Sequence, residues 1–388
     1  MIRSTLISCL LFLAAPAFAS DLVPLPSQSA DVAWPTEQWT SASLPVEQQA
    51  DIDALLDPVF ATEIGEGLGE TRGIVVIKGG AIVHERYRDG ITPETRHVSW
   101  SIAKSVTQAL VGRAVMTGLI ESIDGPMPAA FENGDPRGDI SWRHWLQMLD
   151  GLDYAEYGVA GLDNDATQML FGPGKFNVVA HARKHFPAAH TPGDHWNYST
   201  VAFHLIARAL QAELPNTCLI AGQNPRTCKA DPQVMSDWVD QVLFNPLGLD
   251  AVEEYDIAGT MLGGSSIYMS ARDYAKFGLL FLRDGIWDTE RLLPVGWVDF
   301  ARTNPESSDH NGYGGGFWPS PEQPDNLELI YSAPLDAFHA GGLAGQIIWI
   351  VPSRDLVFVR VGLMTDTAEN WNALFQLGQD VGAVLDQP

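Results

Sequence analysis

Two β-rich hairpin signals lie near opposite ends of this chain, with helical patterns and long loops between them. The first, from Gly73, reads G-I-V-V-I-K-G-G-A-I-V-H-E-R-Y, two apolar runs joined by Gly79-Gly80. A glycine pair between β-branched runs is the chemistry of a tight hairpin turn. The second, from Ile347, reads I-I-W-I-V-P-S-R-D-L-V-F-V-R-V-G, and an amphipathic helix over roughly 367–385 follows it. The simplest architecture is therefore α/β (α+β): a mostly antiparallel sheet flanked by helices, built from both ends, with an inserted helical domain. The expected division is an N-terminal arm over 20–50, a sheet-and-helix domain over 51–120 plus 261–388, and a helical insertion over 121–260. The cleft between the last two is the natural place for a site.

The first twenty residues combine a short positive start, an apolar core and Ala17-Phe18-Ala19. This is the pattern of a signal peptide over 1–19, with an apolar core too short for a membrane anchor. An exported protein, periplasmic or secreted, is expected. Cys218 and Cys228 bracket a polar turn, and in an oxidising compartment such a pair is expected to form one disulfide. The chain carries 48 acidic against 23 basic residues. That balance argues against nucleic acid or an anionic membrane as partner. No cofactor and no membrane span are expected.

Ser101 precedes Lys104 by three residues at the start of an apolar helical run, S-I-A-K-S-V-T-Q-A-L-V-G-R-A-V. Residues so spaced share a helix face. A lysine in an apolar setting loses proton affinity and can act as a base toward the hydroxyl. The positive end of the helix favours the negative charge that would develop there. The plainer reading is an ordinary helix start beside a solvated lysine.

Further along, P-G-D-H-W-N-Y-S-T from Pro192 places Tyr198 at a loop-to-helix junction, able to point its phenol into a cleft. A phenolate beside a lysine ammonium would be a usable base, its proton affinity lowered by that charge. From Phe338, F-H-A-G-G-L-A-G-Q sets glycines directly ahead of a strand. Glycines there let a substrate approach a sheet edge and let a backbone N–H serve an oxyanion hole. Trp100, Trp196, Tyr154 and Tyr157 are candidates to line an acyl or leaving-group pocket, with core packing as the alternative. His181, His185, His190 and His195 are closely spaced, but without H-E-x-x-H they read as a polar loop, and no metal site is expected. G-x-S-x-G is absent from the sequence, which removes the motif of an α/β-hydrolase elbow.

These elements, in this order, resemble the serine β-lactamase-like family, which includes class C β-lactamases, D-alanyl-D-alanine peptidases, family VIII esterases and 6-aminohexanoate-dimer hydrolases. The resemblance also takes in I-S-W-R-H-W-L-Q-M-L-D-G-L-D-Y from Ile140 and G-G-S-S-I-Y-M-S-A-R-D-Y-A-K-F-G-L-L-F-L from Gly263. It covers roughly residues 70–385. It implies Ser101 as nucleophile, Lys104 and Tyr198 as activating partners, and an oxyanion held by the Ser101 N–H with an N–H from the 340–346 strand. It also implies a small-molecule ester, amide or peptide substrate.

The departures carry information. Thr200 stands where the family usually has Asn. The third motif has no Lys-Thr-Gly, and no lysine follows Lys276. Its triplet is Ala340-Gly341-Gly342, or His339-Ala340-Gly341 if shifted by one. A cation for a substrate carboxylate is thus absent or only a histidine, which favours esters or amides over β-lactams and peptide termini. Gly345-Gln346 leans toward the 6-aminohexanoate-dimer hydrolases. The alternatives are D,D-peptidase or β-lactamase activity, or a non-catalytic binding protein on the same scaffold.

Overall fold

The computed structural model describes residues 22–127, 131, 134–157, 164–305, 312–319 and 334–387. The signal-peptide segment 1–19 lies outside them. The two hairpin signals do meet in one antiparallel sheet. Strands β1 (Glu70–Lys78) and β2 (Ala81–Tyr87) turn at Gly79 and Gly80, whose φ values of 61° and 84° only glycine adopts freely. Short β3 (Arg96–Val98), β4 (Val252–Glu253) and β5 (Ile267–Ser270) form a separate three-stranded sheet, and β6 (Ile286–Trp287) and β7 (Glu290–Arg291) a small ribbon. Strands β8 (Trp318–Pro319), β9 (Phe338–Gly342), β10 (Gln346–Val351) and β11 (Leu356–Leu363) complete the main sheet in the order β2-β1-β11-β10-β9-β8. Val75 of β1 pairs with Val359 of β11, so the two ends of the chain are zipped side by side.

Both faces of this sheet are covered, which is why β10 is buried along its whole length and reads as a continuous apolar run. Helices α1 (Val46–Ala61) and α11 (Ala368–Leu385) close one face over Ile74, Val76, Trp349 and Phe358. On the other face lie α2 (Ile102–Met116) and α9 (Ala271–Leu282), over Val75, Ile348, Val357 and Val359. Between 121 and 260 the described residues carry α3 (Trp142–Leu146), α4 (Asp165–Leu170), α5 (Val178–His185), α6 (Thr200–Glu213), α7 (Pro232–Val239) and α8 (Asn245–Leu247), with β4 near the end. Helix α10 (Trp297–Ala301) follows the small ribbon. Helix α6 is buried over Thr200–Gln211 and packs against α2, α3 and α5. Residues 22–45 form no helix or named strand and include turns and bends between 30 and 38, and α1 begins at Val46. Ser41 bridges to Ile82 and covers the exposed edge of β2. Cys218 and Cys228 form a disulfide. None of the described helices is long and apolar enough to cross a membrane.

Candidate active site

Helix α2 begins immediately after Ser101, and its entry turn is tightly fixed. Ser99 is fully buried and exchanges hydrogen bonds with the backbone of Ile267, its Oγ accepting from the Ile267 N–H at 3.1 Å. Trp100 has φ of 46°, an unfavourable conformation for a bulky residue. Such strain costs on the order of 1–3 kcal/mol and persists only where the surroundings impose it. Here it sharpens the turn that aims Ser101 into the cleft. The Ile102, Ala103 and Lys104 amides bond back to the Ser99, Trp100 and Ser101 carbonyls.

Lys104 is 1% exposed, so the solvated-lysine reading is wrong. All three of its ammonium donors are used: Nζ donates to Ser101 Oγ at 2.9 Å, Thr200 Oγ1 at 2.8 Å and the Gly264 carbonyl at 2.8 Å. Burial pushes its pKa down from 10.5 to about 8, against an upward pull from the Glu156 carboxylate. At pH 7 about a tenth of it is therefore neutral and able to accept a proton.

Tyr198 reaches the same point from the other wall. The Asn197 amide donates to Met148 O, its side chain donates to Tyr154 O at 2.6 Å, and Ser199 Oγ caps α6 by accepting from the Ala202 N–H. These contacts hold the phenol ring over Lys104, whose Nζ lies 5.0 Å from its centroid. The ring stacks on Trp318 at 5.5 Å and meets Tyr313 edge-on at 5.9 Å. The expectation of a phenolate with lowered proton affinity is overturned. Burial, then Tyr313, Tyr157 and Glu156, raise the phenol pKa well above 10, and only a hydrogen bond with Ser101 opposes them. Tyr198 is held as the protonated phenol.

The glycines expected ahead of a strand lie inside one: Ala340, Gly341 and Gly342 belong to β9 and pair with β10. A Cβ on Gly342 would collide with the Ser99 carbonyl and stand 3.3 Å from the Ser101 nitrogen. Glycine there lets the end of β9 close against the Ser101 N–H, as an oxyanion site formed by the two would require. Buried Arg360 pins the following turn, donating to the Ala344 and Gly345 carbonyls at 2.9 and 3.0 Å. His339 stacks near Trp318 and packs edge-on to Phe375 at 4.8 Å. Burial lowers its pKa to about 3. It is a neutral ring, not a cation.

A cavity of about 690 Å³ opens over Ser101, lined by Tyr198, Thr200, His339, Gly341 and Gly342. Trp100 and Tyr157 also line it. Tyr154 and Trp196 do not. Tyr154 is buried against Phe186, and Trp196 backs Tyr198, Tyr313 and Trp318. His181 pairs with His185 and His190 with His195 through their rings. Among the described residues no group of three potential metal ligands forms. Sequence reading missed Glu156, Trp318, Asp366 and Trp371, all in the cavity wall, because none carries a motif and Asp366 and Trp371 come from the far end of the chain. Of these Glu156 is the most consequential. Its Oε1 accepts from Thr200 Oγ1 at 2.6 Å, and its Oε2 from the Thr200 N–H and the Tyr154 hydroxyl, both at 2.8 Å.

Residues 64–213 match the Beta-lactamase family. The 6-aminohexanoate-dimer hydrolase of Paenarthrobacter ureafaciens is 23% identical over 377 residues, covering 88% of this chain and 86% of its own length. A candidate 6-aminohexanoate-dimer hydrolase from Bacillus anthracis superposes with a TM-score of 0.67 at 17% identity, over 94% of this chain and 91% of that one. EstCE1, a hydrolase with promiscuous acyltransferase activity, superposes with a TM-score of 0.58 at 15% identity, over 87% of this chain and 100% of its own. The shared fold runs the length of the sheet and its helices, and the sequence match spans both Ser101-Lys104 and Tyr198. The protein has a β-lactamase-like fold, and residues 64–213 carry the match to the Beta-lactamase family.

Proposed function

We propose that the protein is an exported serine hydrolase that cleaves ester or amide bonds through an acyl-enzyme on Ser101. The observation that carries this reading is the buried Lys104 amine 2.9 Å from the Ser101 hydroxyl, with its pKa lowered to about 8. Neutral Lys104 takes the Ser101 proton as Oγ attacks the carbonyl carbon. The electron pair moves to the carbonyl oxygen, which the Ser101 N–H and a backbone N–H at the Gly342 end of β9 receive. The protonated Tyr198 phenol then donates to the leaving oxygen or nitrogen and is recharged from the Lys104 ammonium. Water hydrolyses the ester formed on Ser101 by the same steps in reverse.

The chemistry of the walls narrows the substrate. Among the described lining residues the charged groups are the carboxylates of Glu156 and Asp366, and His339 is neutral. A carboxylate-bearing β-lactam or peptide terminus would meet no cation there beyond Lys104, whose donors are occupied. Neutral or amine-bearing esters and amides fit better, in keeping with the relative that acts on 6-aminohexanoate dimers. Export is supported by the apolar N-terminal segment and by the Cys218–Cys228 disulfide.

The test is turnover of p-nitrophenyl acetate and butyrate, nitrocefin and a 6-aminohexanoate dimer by wild type and Ser101→Ala. Ester or amide turnover that falls by about 10⁴ or more in the mutant is expected, with nitrocefin the poorest substrate. An inactive wild type that also fails to react with a fluorophosphonate at Ser101 would sink the proposal.

A further inference from the structure

Thr200 is more than a replacement for an asparagine. A threonine hydroxyl has one proton to give and lone pairs to accept with, and here both roles are spoken for. Oγ1 accepts from Lys104 Nζ at 2.8 Å and gives its own proton to Glu156 Oε1 at 2.6 Å. The Thr200 backbone N–H closes the other side, donating to Glu156 Oε2 at 2.8 Å. Glu156 is thereby clamped at the N-terminus of α6, where the helix dipole also favours its negative charge. The Tyr154 hydroxyl fixes the same oxygen from behind at 2.8 Å. The result is a continuous chain from Ser101 through Lys104 and Thr200 to a carboxylate.

Resting on the acyl-enzyme reading above, we propose that Glu156 is a positioning residue for this reaction: through the Thr200 hydroxyl it aims the Lys104 amine at Ser101 and balances the positive charge that Lys104 gains. In the step concerned, the Ser101 O–H bond breaks and a Lys104 N–H bond forms. A buried amine becomes a buried ammonium just as negative charge appears on the carbonyl oxygen. An uncompensated buried charge is expensive. The Thr200 bridge brings a counter-charge to the ammonium without letting the carboxylate touch it. Direct contact would trap the lysine in its protonated form.

The groups that face Lys104 leave Glu156 as the charge that acts on it. From the loop before α6 comes Tyr198, and beside it Tyr157 and Tyr313, all uncharged phenols at neutral pH. From α6 comes His204, kept neutral by burial and by Lys104 itself, with a pKa of about 3, and its Nδ1 accepts from the Gly264 N–H. Across the cavity stand neutral His339 and, at the exposed rim, Asp366, which is bonded to Trp371. Glu156 is the charged group that raises the Lys104 pKa against burial.

The experiment is the pH dependence of p-nitrophenyl acetate hydrolysis by the full protein with Glu156→Gln, Thr200→Val and Thr200→Ser. Glu156→Gln keeps the shape and removes the charge. Its kcat/KM profile should reach half-maximum about one pH unit lower than wild type, while its plateau kcat falls about tenfold. Thr200→Val should lose a similar factor in kcat with little movement of the midpoint, and Thr200→Ser should restore most of it. A purely structural Glu156 would lower the plateau and the melting temperature together and leave the midpoint in place. That result overturns the proposal, as would an upward shift. If Glu156→Gln does not fold, equal activities for Thr200→Val and Thr200→Ser overturn it instead. Undiminished turnover by Ser101→Ala would mark failure of the acyl-enzyme reading itself.

Discussion

The two walls of the cleft are built from opposite kinds of chemistry. The helical wall, where α2 meets the start of α6, is dense with paired polar groups. Lys104, Thr200, Glu156 and the Gly264 carbonyl form one satisfied network in a buried setting. The sheet wall offers glycine backbone and an uncharged ring: Gly341, Gly342 and His339, the last backed by Phe375 of α11. Proton transfer needs groups whose proton affinity the surroundings set, so it belongs to the first wall. The proposed oxyanion site needs N–H groups that approach closely, so it lies where the glycine end of the second wall closes on the Ser101 N–H of the first. The difference teaches that the sheet wall is sensitive to added atoms, whereas the helical wall is sensitive to changed charge.

The sharpest way to break this contrast is to add one carbon to the sheet wall. Gly342→Ala places a Cβ against the Ser99 carbonyl and 3.3 Å from the Ser101 nitrogen, so β9 must retreat from the proposed oxyanion site. A loss of about 10²–10³ in kcat is expected, the size of removing one oxyanion donor. Gly341→Ala is the control, because its Cβ meets only the His339 ring at 3.4 and 3.5 Å and Trp371 at 3.7 Å, all ordinary contacts. Steady-state kinetics on both variants decide the matter, and equal losses would refute the placement of the oxyanion site. On the helical wall the effect is graded by pH. In the proposed mechanism the neutral form of Lys104 is the active one, and its pKa is lowered to about 8. Wild-type kcat/KM should therefore climb about tenfold per pH unit below pH 8 and level off above it. A profile flat from pH 6 to pH 9 would take the base role away from Lys104.

How much of this was legible beforehand differs between the same two walls. The strands were plain because β10 and β11 must be apolar on both faces, and two glycines of positive φ punctuate the first hairpin. Ser101 and Lys104 were plain because helical periodicity alone brings them together. Glu156 was invisible. It lies in an irregular loop, and its meeting with Thr200 depends on how that loop folds over the start of α6. The protonation of Tyr198 was misjudged for a related reason. The sequence places an ammonium beside the phenol but does not show the depth of burial or the neighbouring rings, which outweigh that charge. Tyr154 and Trp196 were candidates for the cavity wall because aromatic residues near a motif look alike in sequence. Only packing separates those that face the cavity from those that support it.

The smallest expected effect tests whether the histidine of the third motif has any electrostatic role. Burial keeps His339 neutral, with a pKa of about 3. Its folded pKa is depressed below the 6.5 of an exposed imidazole, so between those values the unfolded chain holds the proton and the folded one does not. Protonation then opposes folding as pH falls through 6.5, and the ring contributes no positive charge to the cavity at neutral pH. His339→Asn should consequently leave the shape of the pH–rate profile from pH 5 to pH 9 unchanged and shift kcat/KM for a neutral ester by no more than about twofold. It should also flatten the fall in melting temperature below pH 6.5, because the group that has to be kept neutral is gone. If the variant instead lost an activity limb near pH 6, or lost turnover only of carboxylate-bearing substrates, His339 would be acting as a cation. The sheet wall would then have a charge of its own.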